Sequence, residues 1–371
     1  MAEQCNVAFF LGANTPNGFV SLYDSMASYE DGWHLYVIKG GPGTGKSTTM
    51  RHLADALEGS QPVEYIHCSS DADSLDAILL PQTKLAVLDG TPPHPMEPKY
   101  PGAYETCFYL NDCWDEALLV KRGDRIVSLF QEIEGHHRQA RRFLNAAGAL
   151  LTDRSRVAAR ETDYHKIAGY ARRMAAKEFS PTGNPHPRET LRFLSAVTDQ
   201  GPVCFSETLE ALCDRVIALE DPYGASAQLL MSLLRAHALE RGQDVISCYC
   251  PMAPHEKLEH LILPQLRLGF VTVNPFHPMA ELSTWRTIHA SRFTDTKALS
   301  AHKHMLSFHK RAAAQMLQQA GEHIAQAKAL HNLLEEEYMA AMDYQKVNAK
   351  RNVFAKEFRQ EAQRRLDLLS R

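Results

Sequence analysis

The fold of this chain is decided by the stretch HLYVIKGGPGTGKSTT at residues 34–49. Its apolar first part predicts a short buried strand, and Met50–Leu57 after it has the apolar spacing of a helix that stops near Gly59. Between them, Gly40 is followed by four residues and then by Gly-Lys-Ser, which is the pattern of a phosphate-binding loop. Strand, glycine-rich loop and helix therefore occur in the order that this pattern requires.

The residue types of the loop suit an anion. Glycines admit positive φ and the close approach of a phosphate, so successive backbone N–H groups turn toward the anion at the positive end of the next helix. Lys46 is expected to neutralise the β- and γ-phosphates, and the Ser47 hydroxyl to join the Mg²⁺ shell. The motif resembles that of P-loop nucleoside triphosphatases and kinases, which implies ATP or GTP with Mg²⁺. The residues expected to bind the nucleotide are Gly40, Gly41, Pro42, Gly43, Thr44, Gly45, Lys46, Ser47 and Thr48.

A second apolar run, Lys84–Asp89, predicts a strand that ends in an acid. Asp89 is expected to orient Mg²⁺ or its water, as a Walker-B aspartate does; the alternative is an Asp that caps the next turn. The next residue is Gly90, so the glutamate that many ATPases place there is missing. Asp71 and Asp73 follow another predicted strand, and they either position the water or acceptor or form a polar, helix-capping loop. The expected catalytic residues are Lys46, Asp89 and Asp71.

The chain also contains an internal repeat with an offset of about 180 residues. The matched segments are Phe10–Val20 with Phe193–Val203, Leu80–Gln82 with Leu263–Gln265, Pro92–Met96 with Pro275–Met279, Asp163–Ile167 with Asp343–Val347, and Ala176–Phe179 with Ala355–Phe358. Because all of them keep nearly the same offset, we expect two homologous lobes.

The second lobe has lost the phosphate-binding residues. In the alignment of the two repeats, its segment Glu220–Ala227 corresponds to the phosphate-binding loop of the first lobe. The lysine is absent from this segment, and Glu220 and Asp221 stand where a phosphate would bind. Carboxylates there repel a triphosphate. The counterpart of Asp89 is Thr272. We therefore expect a degenerate lobe that has a structural, regulatory or partner-binding role.

The expected fold class is α/β, with two P-loop NTPase-like lobes built on mostly parallel sheets, each lobe carrying an appended helical hairpin. The predicted divisions are a nucleotide-binding core at 1–123, a basic hairpin at 124–179, a proline-rich linker at 180–187, the degenerate core at 188–295 and a coiled-coil-like hairpin at 296–371. Between Arg138 and Lys177, ten basic residues stand against three acidic ones. This stretch is either a solvated face, a lid that brings an Arg to the γ-phosphate, or a surface for nucleic acid or an acidic partner.

Two pairs of residues persist in both repeats, Cys68 with Cys250 and His94 with His277. Because both residues are retained in the repeat that has lost the phosphate-binding loop, ATP binding alone does not account for their presence. A soft metal site is one reading. The close ligand spacing of a zinc module is missing, so a buried Cys and a His bonded to a turn are the other reading.

Composition restricts the setting of the protein. The net charge of −4 excludes a polycation and does not favour nucleic acid as the partner. No apolar run approaches the ~18–20 residues of a membrane span, and the first residues lack the basic start of a signal peptide. Eight cysteines without a Cys-x-x-Cys pair favour a reduced, cytoplasmic protein.

The combination of Gly12–Phe19, Gly40–Ser47, His67–Asp71 and Leu88–His94 resembles a family of two-lobed (tandem) bacterial P-loop proteins described as ATPases or ATP-binding proteins. The resemblance covers essentially the whole chain and implies ATP binding by the first lobe. We therefore expect an ATP-binding protein, specifically a slow Mg²⁺-dependent ATPase, with a protein partner on the second lobe or the hairpins. The alternatives are a small-molecule kinase with a helical lid and an ATP-dependent switch or scaffold without hydrolysis.

Overall fold

The computed structural model describes residues 6–57, 59–91, 97–277, 279 and 282–370. It is an α/β structure with two six-stranded, mostly parallel sheets flanked by helices, which confirms the expected class at this level. The chain divides into two compact units with one six-stranded sheet each, and β2–β3 and β10–β11 form separate two-stranded sheets. Within the described residues, the first unit comprises 6–12, 23–139 and 323–370, and the second comprises Ala13–Leu22 and Ala140–Glu322.

The first repeat alternates strands with one helix and then continues into three helices. Its elements are β1 (Val7–Phe10), β2 (Gly12–Thr15), β3 (Gly18–Ser21), β4 (His34–Lys39), α1 (Lys46–Asp55), β5 (Glu64–His67), β6 (Leu75–Leu80), β7 (Leu85–Asp89), β8 (Glu105–Tyr109), α2 (Glu116–Lys121), α3 (Gly123–Arg160) and α4 (Tyr164–Glu178). The strand and helix predicted on either side of the glycine-rich loop are β4 and α1, and α1 ends at Asp55, ahead of Gly59.

The second repeat has the same succession of elements with one additional helix. Its elements are β9 (Glu189–Arg192), β10 (Ser195–Thr198), β11 (Gly201–Cys204), α5 (Ser206–Leu212), β12 (Arg215–Glu220), α6 (Ala225–Glu240), β13 (Val245–Cys250), β14 (Ala253–Leu263), β15 (Leu268–Val273), β16 (Arg286–His289), α7 (Thr296–Leu299), α8 (Lys303–Met339) and α9 (Tyr344–Leu369). The additional helix is α5, between the β10–β11 hairpin and β12.

The two sheets share one topology, so the predicted duplication extends to the fold. The strand orders are β1-β5-β6-β7-β4-β8 and β9-β13-β14-β15-β12-β16. In each sheet the third strand, β6 or β14, is antiparallel to both neighbours, and the other pairings are parallel. Ile38 of β4 pairs with Asp89, and Leu219 of β12 pairs with Thr272, as the predicted equivalence of Asp89 and Thr272 requires.

The last helix of each repeat packs in an unexpected place. In the first unit, α9 packs on α1, with Phe354 and Phe358 in the same core as Met50. In the second unit, α4 packs on α6, with Met174 in the same core as Phe270. Each sheet is therefore covered by a helix that does not come from the end of its own repeat.

This packing differs from the predicted division into hairpins at 124–179 and 296–371, because α3 and α8 are each divided between the two units. The physical reason is that α4 and α9 bury their apolar faces on a sheet. Backbone bonds fix their starts: Asp343 N–H donates to Cys113 O at 2.7 Å, and Asp163 N–H donates to Phe293 O at 2.8 Å. The proline-rich residues 180–187 form neither helix nor strand, as predicted. Among the described residues, no helix is long and apolar enough to cross a membrane.

Candidate functional site

The glycine-rich loop lies at the carboxyl end of β4 and leads directly into α1. Gly43 and Gly45 have positive φ, +66° and +84°, so the loop uses the left-handed backbone that glycine admits. A Cβ on Gly40 would lie 2.6 Å from the Thr44 hydroxyl, so this position has room for glycine alone. Ser47 lies half-buried in the first turn of α1, and Thr48 is exposed beside it.

Lys46 and Asp89 meet beside the loop, as the two motifs predicted. The Lys46 ammonium donates to the carbonyls of Gly40 (3.0 Å) and Gly41 (2.8 Å), and it lies 3.5 Å from Asp89 Oδ2. Burial raises the pKa of Asp89, while Lys46 and two hydrogen bonds from Thr91 act in the opposite direction. The carboxylate at the end of β7 therefore lies next to the ammonium group at the start of α1.

The Ser47 hydroxyl accepts a hydrogen bond from the Leu75 N–H at 3.0 Å, which joins the start of α1 to the start of β6. This bond leaves a lone pair of the hydroxyl oxygen for a further ligand. The residue after Asp89 is glycine for a steric reason. A Cβ on Gly90 would lie 2.3 Å from Val37 Cγ1, so no glutamate fits at this position.

The carboxyl-terminal turns of α8 cover the loop within the first unit. Gly43 N–H donates to Glu335 Oε1 at 3.2 Å, and the Tyr344 hydroxyl donates to Gly43 O at 3.1 Å. Bonding to His331 and to Gly43 outweighs burial and lowers the pKa of Glu335, so this carboxyl is anionic. An N–H group of the loop therefore already bonds to an anion. Sequence patterns had no signal for this contact.

Asp71 and Asp73 do not join Lys46 and Asp89. Lys328 of α8 lies 2.7 Å from Asp71 and 3.7 Å from Asp73, and Asp71 Oδ1 accepts the Asp73 N–H at 3.2 Å. This arrangement agrees with the polar-loop alternative. The predicted catalytic carboxylate of Asp71 is therefore paired with a cation.

In the equivalent loop of the second unit, Asp221 occupies the position of the anion. Its carboxylate accepts the N–H groups of Tyr223 (3.1 Å), Gly224 (2.9 Å), Ser226 (2.8 Å) and Ala227 (2.8 Å), and the residue is 1% exposed. The prediction of two carboxylates at this loop holds for Asp221 alone.

The prediction that Glu220 also stands in the phosphate position of that loop is wrong. Glu220 lies exposed and bonds to His289 at 2.6 Å, because it is the last residue of β12 and points away from the loop. One buried carboxylate is therefore enough to fill the second loop.

A cavity of about 260 Å³ lies beside this second loop. Arg154 and Lys257 stand in its wall. The Arg154 guanidinium lies 5.2 Å from the centre of the Tyr223 ring, and burial lowers the pKa of Arg154. Nine of the ten basic residues predicted between 138 and 177 are exposed, and Arg154 is the exception. Nine of these residues therefore agree with a solvated face, whereas Arg154 lines the cavity of the second unit.

The same cavity is bordered by a cluster of metal-ligand types. Cys250, Glu259 and His277 each place one ligand atom within 4.8 Å of the others. Burial raises the pKa of the Cys250 thiol to about 12. The sequence paired Cys250 with His277 but missed Glu259. The available signal was Asp76, which precedes Leu80 by the same spacing as Glu259 precedes Leu263.

The first repeat carries the matching residues Cys68, Asp76 and His94. Cys68 is partly exposed, and burial of its thiol raises its pKa well above the usual range. His94 lies outside the described residues. Only the cluster of the second repeat therefore lies entirely within the described residues.

Comparisons of the chain with models of protein families, with curated proteins and with solved structures find no match. The chemistry of the two loops and of the cysteine–histidine cluster is therefore the basis of the proposed function.

Proposed function

We propose that the chain binds ATP with Mg²⁺ at the loop Gly40–Thr48 and hydrolyses it slowly, and that the second lobe is structural or regulatory. The observation that carries the proposal is the grouping of Lys46, Asp89 and a Gly43 N–H that bonds to a carboxylate. An N–H group that donates to a carboxylate oxygen can donate to a phosphate oxygen by the same chemistry.

In this proposal each group has one task. The Lys46 ammonium exchanges the carbonyls of Gly40 and Gly41 for the β- and γ-phosphate oxygens, and the loop backbone cradles the β-phosphate. Ser47 and Asp89 supply oxygen ligands to Mg²⁺. A phosphate in the loop displaces Glu335, so binding moves the end of α8 away from Gly43.

Slow turnover is the expected consequence of the missing base. Val37 leaves no space for a glutamate after Asp89, and Asp71 is paired with Lys328. The reaction itself transfers the γ-phosphoryl group to water and yields ADP and phosphate. Without a positioned carboxylate, the attacking water is oriented poorly.

A second candidate is a nucleotide-dependent switch that does not hydrolyse ATP. The contact of α8 with the loop favours it, because ATP and Glu335 compete for the same N–H group. The kinase alternative needs Asp71 or Asp73 to hold an acceptor hydroxyl, whereas both face Lys328.

The test is a binding and turnover assay on the full chain. Lys46→Ala should weaken MgATP binding about 10- to 150-fold, since a hydrogen bond to a charged group contributes about 1.5–3 kcal/mol. Arg51→Ala removes an exposed cation from the same helix and should leave the affinity nearly unchanged. Equal affinity in the wild type and Lys46→Ala would contradict the site.

Product analysis of the same samples separates the candidates. ADP and phosphate in equal amounts support the ATPase, and ATP that stays intact while bound supports the switch. A phosphorylated metabolite formed from an added cell extract supports the kinase.

A further inference from the structure

The cavity of the second unit contains three side chains that suit one metal ion. Cys250 and His277 line the cavity, and Glu259 lies behind them without solvent exposure. Their ligand atoms lie within 4.8 Å of one another, which is the spread expected around a single ion. Thiolate, imidazole and carboxylate together form a donor set that zinc accepts.

His277 uses one ring nitrogen in a hydrogen bond and leaves the other beside the cluster. Its Nε2 bonds to the Ser195 hydroxyl at 3.0 Å, and its Nδ1, which makes no hydrogen bond, lies 3.5 Å from Glu259 Oε1. A histidine that binds a metal through one nitrogen usually fixes the other nitrogen in this way. The ring of His277 is therefore oriented as a metal ligand requires.

Glu259 shows the same division of its two oxygens. Lys257 Nζ (2.9 Å) and Asn274 Nδ2 (3.3 Å) donate to Oε1, whereas the buried Oε2 has no nitrogen or oxygen donor, and the Cys250 thiol bonds to this carboxylate. A cation in place of the thiol proton would hold the thiolate and the carboxylate together. Lys257 can keep its bond to Oε1 while Oε2 binds an ion.

The duplication supplies an independent reason. The second repeat lacks the lysine of the phosphate loop and has Thr272 in place of Asp89, yet it keeps a cysteine, an acid and a histidine at the positions of Cys68, Asp76 and His94. These three residues therefore serve a purpose other than triphosphate binding.

We propose that Cys250, Glu259 and His277 bind a zinc ion whose fourth coordination position opens into the cavity. The charges of a thiolate and a carboxylate balance the ion. In the cavity wall, three cations (Arg154, Arg156 and Lys257) stand against two carboxylates (Asp221 and Glu256), so the open position takes hydroxide or a small anionic ligand. This site is independent of the nucleotide loop.

Cobalt substitution tests the proposal directly. The full chain is stripped with a chelator and titrated with Co²⁺, whose bond to a thiolate gives a near-ultraviolet charge-transfer band, and Zn²⁺ is then added as competitor. Cys68→Ser serves as the reference background, so that the equivalent thiol of the first repeat cannot contribute. We expect one Co²⁺ per chain, displaced by Zn²⁺.

Two variants in this background decide the assignment. Cys250→Ser should abolish the band, and Cys213→Ser, which removes another buried thiol of the second unit, should leave it intact. A third variant in the same background, Ser195→Ala, should weaken Co²⁺ binding about 10- to 100-fold by releasing the His277 ring. Absence of the band before Cys250 is changed, its persistence in Cys250→Ser, or unchanged affinity in Ser195→Ala would overturn the proposal.

Discussion

In the loops after β4 and β12, backbone N–H groups donate to carboxylates that come from different parts of the chain. Both lead into a helix through a left-handed glycine, Gly45 at φ +84° and Gly224 at φ +80°. In the second loop, Asp221 bonds to N–H groups no more than six residues away. In the first, Gly43 bonds to Glu335, which lies 292 residues away in sequence.

This difference in chain distance separates a permanent occupant from an exchangeable one. A carboxylate within the loop stays at high local concentration whenever the loop is folded, so no phosphate can compete with Asp221. Glu335 belongs to another element and can leave while the loop remains intact. This difference underlies the proposal that the first loop, and not the second, binds a nucleotide.

The largest effect is expected from Asp221→Ala. Four N–H groups lose their acceptor, so the free energy of unfolding should fall by about 3 kcal/mol or more, since each unsatisfied buried donor costs about 1–3 kcal/mol. Urea unfolding of the full chain measures this loss.

Glu220→Ala is the matched control for that variant, because Glu220 is the exposed neighbour, and its effect should stay within about 0.5 kcal/mol. Sulfate should restore stability to Asp221→Ala more than to the wild type, because the vacated loop accepts an anion. Equal stability of the two variants would refute the role of Asp221.

A smaller effect is expected from protonation of Asp89. Burial raises its pKa, so the folded chain takes up this proton at a higher pH than the unfolded chain does. Protonation therefore stabilises the fold as pH falls, while the lost negative charge weakens Mg²⁺ binding. We expect the affinity for MgATP, measured by titration calorimetry, to drop about 10-fold (about 1.4 kcal/mol) as pH is lowered and Asp89 takes up its proton.

Asp89→Asn provides the comparison for the pH dependence. Its MgATP affinity should be low and should fall less steeply with pH than that of the wild type, because ATP still titrates but residue 89 does not. Its free energy of unfolding at pH 7 should equal or exceed that of the wild type. A variant with the wild-type pH profile would assign the titration to another group.

The smallest effect is expected from Glu335→Gln. Removing the competing charge should tighten MgATP binding about 2- to 10-fold, because a hydrogen bond contributes about 0.5–1.5 kcal/mol net. Glu336→Gln changes the exposed neighbour on α8 and should have no effect. Weaker binding in Glu335→Gln would mean that Glu335 supports the nucleotide site rather than competing for it.

Local patterns predicted the parts of this molecule that depend on neighbouring residues. The strand before Gly40, the helix from Lys46 and the strand ending at Asp89 follow from apolar spacing and turn chemistry, and the repeat offset predicted the shared sheet order. The sequence also predicted that Asp221 stands in the phosphate position of the second loop.

Contacts between distant segments were beyond those patterns. Nothing in the periodicity of α8 distinguishes Glu335 from Glu336, since only the fold brings one of them to Gly43. The exchange of α4 and α9 between the sheets has the same origin, because an apolar helix face does not specify which sheet it will cover. Glu259 was predictable only by comparison with Asp76 of the first repeat.

Counting bound nucleotides tests the central comparison most directly. Equilibrium dialysis of the full chain should find one nucleotide per chain at saturating MgATP, and Lys46→Ala should need about 10- to 150-fold more MgATP for the same occupancy. Two nucleotides per chain, or an occupancy that Lys46→Ala leaves unchanged, would contradict the assignment of one open and one filled loop.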